Sequence, residues 1–367
     1  MNIYSNALFC LSILLIFSIY YFIISTRGDC MKKYIFLFLL IIADILIFFL
    51  MRNIEIIWLL VVFLGFLWFT LVIIFKYTCD YLNSRKIKTW IIRFITITTA
   101  FIEIVVLFCF SIYFIQDITL FRPNSSPDSY EYILSRSEFI EVTVENGGKN
   151  YYGIMKKNNE DEPSPLIILF AGNGQNAAQA MFEINYMGLW TYFLDYNLLI
   201  MDYPGYGING GMPSADNICN EALLIYDYVF DLPYVDENNI IVGGYSIGTG
   251  PATYLAAHRD VSGLFLLAPY ASGYDLYNSI LPIFHGPLRF LVKHKFPSYE
   301  YAASITASVL IVASTSDKVV PYASSERLKT CFPGEPTFVT LFGVTHNEIL
   351  YNNITLNSIK DFLESIQ

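Results

Sequence analysis

The hydrophobic residues of this chain follow one pattern up to about residue 115 and another beyond it. In the first part they form four long runs, at about 7–25, 34–51, 55–76 and 90–115. A helix that crosses a bilayer takes about 20 mainly apolar residues, so these runs predict four transmembrane helices. The first run has no Lys or Arg ahead of it, whereas a signal peptide begins with a basic region. We therefore expect the first run to be a permanent span.

Beyond residue 138 the apolar runs are short, rich in β-formers and separated by helical stretches. Two of them, 166–170 and 309–312, are apolar throughout, as expected of parallel strands buried on both faces. Strands are expected at 138–145, 151–156, 165–171, 197–202, 239–244, 263–268, 308–314 and 337–342. Helices are expected near 176–194, 214–231, 247–258, 322–331 and 353–366. This alternation predicts an α/β fold with a doubly wound, mostly parallel sheet, preceded by an all-α four-helix bundle.

These two patterns predict three parts of the chain. We expect a four-span membrane region over 1–118, a linker rich in turn-forming residues over 119–137, and an α/β domain over 138–367. Within that domain one connection, at about 270–300, is longer than its neighbours. It is either one more amphipathic helix packed on the sheet or a small cap, because insertions at this point lie at the carboxyl edge of the strands, where ligands bind.

The net charge also differs between the N-terminal part of the chain and the α/β domain. Residues 1–120 contain nine Lys/Arg and six Asp/Glu, a net +3, and the whole chain carries −10, so residues 121–367 carry −13. Phosphate neutralisation needs Lys and Arg, and we therefore expect no nucleic-acid partner. The acidic domain also argues against docking on anionic lipid by charge alone.

The basic residues predict how the four spans are oriented. The loops at 26–33 and 76–89 contain seven Lys/Arg, whereas the opposite side has only Arg52 and Arg122 close to the spans. Basic loops tend to stay in the cytoplasm. We therefore expect a multi-pass protein of the cell membrane whose C-terminal domain lies on the extracytoplasmic side.

Two acidic residues lie within the predicted spans. Asp44 is near the middle of the second span and Glu103 near the middle of the fourth. Such groups are expensive in lipid and often functional, but Thr96, Thr98 and Thr99 are typical of a polar helix–helix interface. Pairing or packing inside the bundle is therefore favoured over a role in transport.

The cysteines of the chain give little information about its fold. Cys219 and Cys331 are the two cysteines of the C-terminal domain. A disulfide between them is an alternative to two free thiols, but two cysteines do not make a disulfide framework.

A G-x-S-x-G pattern in the α/β domain points to a serine nucleophile. Gly244, Ser246 and Gly248 follow a strongly β-prone run and precede a helical one. A nucleophilic serine projects from a sharp strand-to-helix turn, and glycines two residues on either side relieve the crowding there. Ser246 is the predicted nucleophile, with Gly244 and Gly248 forming the nucleophile elbow.

A serine nucleophile needs a base and an acid that orients the base. Of the four histidines, His258 lies about three turns down the following helix, and His285 and His294 lie in the 270–300 connection without an acid at a strand end. His346 follows the last strand, and Asp317 follows the strand before it. The order Ser, Asp, His is typical of α/β hydrolases, although Asp317 alone could also cap the next helix.

The oxyanion of such a reaction must be met by backbone N–H groups. One should come from Ile247, directly after the nucleophile. The other should come from the Gly-rich turn after strand 165–171, with Asn173 the first choice. This turn lacks the P-loop lysine and the G-x-G-x-x-G spacing, which argues against a nucleotide, and we expect no metal and no cofactor.

Four motifs together resemble the single-domain α/β hydrolases that include mammalian lysophosphatidylserine lipases and protein depalmitoylases. The resemblance covers 138–367, somewhat under two thirds of the chain. Two positions depart from the family's pattern: Ala171 stands where a histidine is usual, and Pro204 where an arginine is frequent. Loss of the histidine is expected to loosen the oxyanion loop. The matching motifs, in order, are the Gly-Asn turn at 172–176, Asp202-Tyr203-Pro204-Gly205-Tyr206-Gly207, Gly244-Tyr245-Ser246-Ile247-Gly248, and Asp317-Lys318-Val319-Val320-Pro321 with His346.

The expected function is hydrolysis of a carboxylic ester or thioester through an acyl-enzyme. Membrane tethering and the apolar stretch 276–291 favour a lipid-like acyl substrate. The runner-up is an aminopeptidase of the prolyl-oligopeptidase kind, for which no acidic residues that grip a free amine can be identified. A non-catalytic membrane sensor or scaffold with a hydrolase-like module is the third alternative.

Overall fold

The computed structural model describes residues 89–159 and 162–366, together with scattered helical positions between 65 and 84. The chain divides into two compact units, Met1–Phe114 and Ile115–Gln367. The division falls within the first complete helix, α1 (Thr89–Leu120). The second unit contains the sheet and all of the groups discussed below.

The predicted membrane spans have different outcomes. The runs at 7–25, 34–51 and 55–76 lie outside the described residues, apart from isolated positions of the third. The run at 90–115 falls on α1. No helix in the described part of the chain is long and apolar enough to cross a membrane. The prediction of a span at 90–115 is therefore not supported, and the sequence of α1 does contain Arg93, Glu103 and Asp117, which are costly in lipid.

The segment 119–137, predicted as a linker, contains a second helix, α2 (Pro127–Leu134). Proline occupies its first turn, where the missing N–H costs no intrahelical hydrogen bond. Tyr130 and Ile133 of this helix are buried in the core of the α/β domain. The segment is thus packed on the domain that follows it.

The described residues form one eight-stranded sheet in the order β1-β2-β4-β3-β5-β6-β7-β8. The first two strands make an antiparallel hairpin, β2 also pairs antiparallel with β4, and the strands from β4 onward along the sheet are parallel. This confirms the predicted mostly parallel α/β sheet. The strands are β1 (Phe139–Asn146), β2 (Lys149–Lys156), β3 (Ser164–Phe170), β4 (Asn197–Met201), β5 (Val235–Tyr245), β6 (Gly263–Leu267), β7 (Ser308–Ser314) and β8 (Thr337–Leu341).

Helices pack on the sheet through its apolar strand residues. Side chains of α2, α3 and α9 share one core with alternate residues of the strands, such as Ile167 and Ile241. The residues between these point to the opposite face, and α4 and α5 pack against each other and on β5. The remaining helices are α3 (Ala177–Tyr186), α4 (Ala215–Phe230), α5 (Thr249–His258), α6 (Gly273–Ile280), α7 (Ser298–Ala302), α8 (Tyr322–Lys329) and α9 (Asn353–Ser365).

The long connection between β6 and β7 contains α6, a 3₁₀ turn at Gly286–Leu291, and α7. α6 begins with a capping box formed by Ser272 and Asp275, which satisfies free N–H groups of its first turn. The Ser279 hydroxyl of α6 donates to the Val319 carbonyl, 3.0 Å away, so this helix lies beside the loop that follows β7. The cysteines of this domain are unpaired: Cys219 is buried and Cys331 half-buried, and both are free thiols.

Candidate active site

Ser246 stands on a strained turn at the carboxyl end of β5. Its φ angle is +55°, a conformation that costs a non-glycine residue of the order of 1 kcal/mol or more. A Cβ on Gly244 would lie 2.6 Å from the Gly248 carbonyl oxygen, and a Cβ on Gly248 would lie 2.2 Å from the Phe170 carbonyl oxygen. Only glycine fits at these two positions, and the result is a serine that projects from a sharp strand-to-helix turn.

The structure brings Ser246, His346 and Asp317 into one hydrogen-bonded chain. The distance from His346 Nε2 to Ser246 Oγ is 2.9 Å, and the distance from His346 Nδ1 to Asp317 Oδ2 is 2.6 Å. A carboxylate at Nδ1 keeps the proton on that nitrogen, which leaves Nε2 free to accept the serine proton. The three predicted catalytic side chains therefore have the geometry of a nucleophile, its base and the acid that orients the base.

Further contacts hold Asp317 and His346 in place. Asp317 Oδ1 accepts hydrogen bonds from the amides of Val319 and Val320, at 2.8 and 2.9 Å. The Tyr245 hydroxyl donates to the His346 carbonyl over 2.9 Å, and the Tyr245 and His346 rings stack with centroids 5.4 Å apart. The imidazole consequently has little freedom to leave Ser246.

The other three histidines lie away from this chain of hydrogen bonds. His258 and His285 are exposed. His294 is buried, and its acidic partner lies on a helix instead of at a strand end: its Nε2 lies 2.5 Å from Asp117 Oδ1 near the end of α1. Its Nδ1 accepts from the Ala215 amide over 3.3 Å, so His294 has no nucleophile beside it.

The predicted oxyanion donors, Asn173 and Ile247, line the same cavity as Ser246. Asn173 lies on the loop between β3 and α3. Gly172 of this loop approaches the Tyr245 ring so closely that a Cβ would lie 2.8 Å from it, and Gly174 has a φ angle of +83°. The sequence of the loop is therefore adapted to a tight backbone path beside the nucleophile.

Buried polar residues of the segment 202–206 hold the two ends of this loop. The Tyr203 hydroxyl donates to the Ala171 carbonyl over 2.7 Å, and Asp202 Oδ1 accepts from the Ala177 amide over 2.7 Å. Burial raises the pKa of Asp202, while hydrogen bonds from Tyr130 and two amides act in the opposite direction. The D-Y-P-G-Y-G motif was visible in the sequence, but its contacts with the loop were not.

A cavity of about 530 Å³ opens over Ser246. Among the described residues of its lining Glu183 is the one acidic side chain, and its Oε2 atom already accepts from Gln175 and Tyr351. Two basic residues, Arg122 and Lys318, also lie in the wall. The apolar part of the lining consists of Leu120, Ile247, Leu276, Ile280 and Val319. The 270–300 connection thus contributes to the cavity through α6.

Comparisons with known proteins agree with this architecture. No protein-family model matches the chain. The "Uncharacterized protein Rv2307c" of Mycobacterium tuberculosis is 32% identical over 202 residues, which are 54% of this chain and 69% of the relative. The "Alpha/beta hydrolase domain-containing protein aho-3" of Caenorhabditis elegans is 27% identical over 206 residues, 55% of this chain and 58% of the relative. The solved structure of 2,6-dihydroxy-pseudo-oxynicotine hydrolase superposes with a TM-score of 0.55 at 15% identity, over 65% of this chain and 71% of that one.

The sheet order, the strained serine turn and these relatives define a class of protein. The chain belongs to the same family as the mycobacterial relative, and its fold is that of an α/β hydrolase, the domain after which the nematode relative is named. The structural neighbour, at 15% identity, supports the fold alone.

Proposed function

We propose that this protein is a serine hydrolase that cleaves a carboxylic ester or thioester through an acyl-enzyme. The observation that carries the proposal is the 2.9 Å contact between Ser246 Oγ and His346 Nε2, on a strained turn that faces an open cavity. A serine and a histidine at this distance, with a carboxylate on the other ring nitrogen, are the arrangement needed to generate a nucleophilic alkoxide.

The chemical steps follow from this arrangement. Ser246 Oγ attacks the carbonyl carbon and gives its proton to His346 Nε2, while Asp317 stabilises the imidazolium. The Asn173 and Ile247 amides donate to the oxyanion. The imidazolium then protonates the leaving alkoxide or thiolate, which departs and leaves an acylated serine. Water, deprotonated by His346, attacks the acyl group and releases the carboxylic acid.

The lining of the cavity favours a substrate with a lipid-like acyl chain. Leu276 and Ile280 are four residues apart on α6, so they present one apolar face, and both line the cavity. Val319, which follows the catalytic acid, is exposed to 49%. Burying apolar surface of a ligand against such side chains contributes about 25 cal/mol for each Å². An acyl chain that lies along α6 would gain this binding free energy.

The aminopeptidase alternative finds less support in the same lining. Such an enzyme carries several acidic residues that grip a free amine, whereas the described lining contains the single carboxylate of Glu183, whose Oε2 atom already accepts from Gln175 and Tyr351. If the domain is a non-catalytic scaffold, wild type and a variant without the Ser246 hydroxyl should show the same hydrolysis of every ester tested.

Membrane attachment is proposed from the sequence of the N-terminal part. The apolar runs 7–25, 34–51 and 55–76 would each suffice to cross a bilayer by length. These three runs alone would place the two ends of the membrane region on opposite sides, so the predicted location of the hydrolase domain on the extracytoplasmic side requires a fourth span. Fusing alkaline phosphatase or green fluorescent protein to the C-terminus tests it in a bacterial host. Phosphatase activity without fluorescence supports the outer side, and fluorescence without phosphatase activity would place the domain in the cytoplasm.

The hydrolase proposal is tested by a substrate panel on the full-length chain. We expect hydrolysis of p-nitrophenyl esters and acyl thioesters, with long acyl chains preferred over acetyl, and no hydrolysis of aminoacyl amides. Ser246→Ala should lose this activity, and the Ser246 peptide should carry the acyl group after rapid acid quenching. Equal turnover by wild type and Ser246→Ala would refute the proposal.

A further inference from the structure

The last residue of α1 and the four residues after it bind to the loop that contains Asn173. We call residues 120–124 the strap. The Leu120 carbonyl accepts from Asn173 Nδ2 over 2.7 Å, and the Arg122 amide donates to Asn173 Oδ1 over 3.0 Å. One side-chain amide therefore bonds two backbone groups of the strap.

The strap is also bonded further along the loop. Asn124 Nδ2 donates to the Gly174 carbonyl over 3.0 Å. The Asn124 carbonyl accepts from the Gly207 amide over 2.8 Å. The strap thus lies between the Asn173 loop and the turn after β4, with hydrogen bonds to both.

Tyr206 bonds both the Asn173 loop and the strap from the buried side. Its side chain is fully buried, and its hydroxyl lies 2.8 Å from Asn173 Oδ1 and 3.0 Å from the Arg122 amide. Burial raises the pKa of Tyr206 to about 12, so its hydroxyl keeps the proton that it donates to Asn173 over the usual range of assays.

The Asn173 side chain can adopt one orientation in this setting. Its Oδ1 faces two donors, the Tyr206 hydroxyl and the Arg122 amide, and its Nδ2 faces a carbonyl. If the side-chain amide were rotated by 180°, its NH₂ group would face the Arg122 amide and the Tyr206 hydroxyl, and its oxygen would face the Leu120 carbonyl oxygen. Because the side chain is fixed from three sides, the backbone of Asn173 is fixed with it.

We infer that the Asn173 side chain, Tyr206 and the strap are the positioning elements of the oxyanion site. They hold the Asn173 main-chain N–H where the tetrahedral intermediate presents its oxygen, and none of these side-chain groups needs to touch the substrate. This inference rests on the proposed serine-hydrolase function. It also explains how a loop with Ala171, in place of the histidine usual among similar hydrolases, keeps its path.

Two variants of the full-length chain test the inference. Tyr206→Phe removes one donor to Asn173 Oδ1, and Asn173→Ala removes all three side-chain contacts while keeping the main-chain N–H. Tyr196→Phe is the matched control, because its buried hydroxyl lies near the Leu363 carbonyl, at 3.3 Å, on a different part of the domain. Enzyme concentrations are set by active-site titration, so that an unfolded fraction does not count as lost turnover.

The readouts are kcat, KM and the inhibition constant of a trifluoromethyl ketone. This ketone forms a hemiketal with the serine, whose oxyanion resembles that of the intermediate. A misplaced donor weakens binding of the oxyanion but not of the ground state, and small displacements cost up to about 100-fold in rate. For Tyr206→Phe we expect kcat to fall about 10-fold and for Asn173→Ala about 100-fold, with KM within about 3-fold. The inhibition constant should rise in parallel with the loss of kcat/KM, and Tyr196→Phe should match wild type.

Wild-type kcat and ketone affinity in both variants would overturn the inference, as would a loss of kcat with an unchanged ketone affinity. An equal loss in Tyr196→Phe would also overturn it, because the effect would then be that of any buried hydroxyl. These outcomes differ from failure of the proposed function. In that case Ser246→Ala would keep the activity of the wild type, and the function and this inference would fall together.

Discussion

The described part of the domain contains two Asp–His pairs with nearly the same contact distance. Asp317 lies 2.6 Å from His346, and Asp117 lies 2.5 Å from His294. The difference is at the second ring nitrogen. His346 presents it to the Ser246 hydroxyl, in the wall of a cavity, whereas His294 uses it to accept the amide of Ala215 at the start of α4.

The surroundings of the two carboxylates differ as well. Asp317 accepts two backbone amides besides its histidine, and its side chain is 2% exposed. Asp117 instead bonds the Lys293 ammonium over 2.5 Å, and its side chain is 19% exposed. An Asp–His pair alone therefore does not make a catalytic site. The Asp317–His346 pair differs in having the Ser246 hydroxyl at its second nitrogen and a cavity beside it.

The largest expected effect is that of His346→Ala. Without the base, Ser246 keeps its proton, and kcat should fall by about 10⁴ to 10⁶. Steady-state kinetics on titrated enzyme measure this, with the exposed His258→Ala as control. A loss below about 100-fold would mean that another group is the base.

The second largest expected effect on kcat is that of Asp317→Asn. The asparagine keeps the shape of the side chain but no longer holds the proton on His346 Nδ1, so kcat should fall by about 10⁴. The kcat of this variant relative to wild type is the measurement. If Asp117→Asn reduced kcat by a comparable factor, the assignment of the two pairs would be reversed.

His294→Ala should act on stability instead. It removes two hydrogen bonds from a buried site and leaves the Asp117 carboxylate with Lys293 alone, at a cost of about 3 kcal/mol. For a domain of this size the thermal midpoint should fall by about 6–12 °C. Per titrated site, kcat should fall less than 10-fold. A loss as large as that of His346→Ala would contradict the distinction between the pairs.

Asp117→Asn should have the smallest effect, and it should depend on pH. Burial acts to raise the pKa of Asp117, but hydrogen bonds and charge from His294 and Lys293 outweigh it and hold the pKa below its ordinary value. A lowered pKa in the folded state contributes stability that is complete above the unfolded value of about 4 and is lost as the pH falls through the folded value. We therefore expect the variant to be less stable by about 1–2 kcal/mol at pH 7.

Denaturant titrations of wild type and Asp117→Asn between pH 3 and pH 8 measure this dependence. The difference in the free energy of unfolding should be constant above about pH 5 and should shrink below about pH 4. A difference that grows toward low pH would show that the carboxylate does not carry the stabilising charge.

Local sequence signals predicted the sheet, and they singled out three side chains that the structure brings into contact. Each strand is a short β-prone run. Ser246 follows β5 directly, and Asp317 and His346 lie three and five residues after β7 and β8, so chain order and strand ends were sufficient to place the three near one another. The helix α2 was missed because its sequence is rich in turn formers, and only burial of Tyr130 and Ile133 explains it.

Long-range polar contacts could not be predicted from the sequence. Asp117 and His294 are 177 positions apart, and neither residue lies at a strand end. The strap uses backbone groups of Leu120 and Arg122, which no side-chain pattern reports. The hydrogen bonds between these backbone groups and the Asn173 side chain depend on the folded arrangement of the chain.

The assignment of Ser246 as the nucleophile is the central claim, and covalent labelling tests it most directly. The full-length chain is treated with a fluorophosphonate and the modified residue is identified by mass spectrometry, alongside Ser246→Ala and His294→Ala. We predict a single adduct on Ser246 in wild type, the same adduct in His294→Ala, and none in Ser246→Ala. Labelling of Ser246→Ala to the extent of wild type, or an unmodified Ser246 in labelled wild type, would contradict the claim.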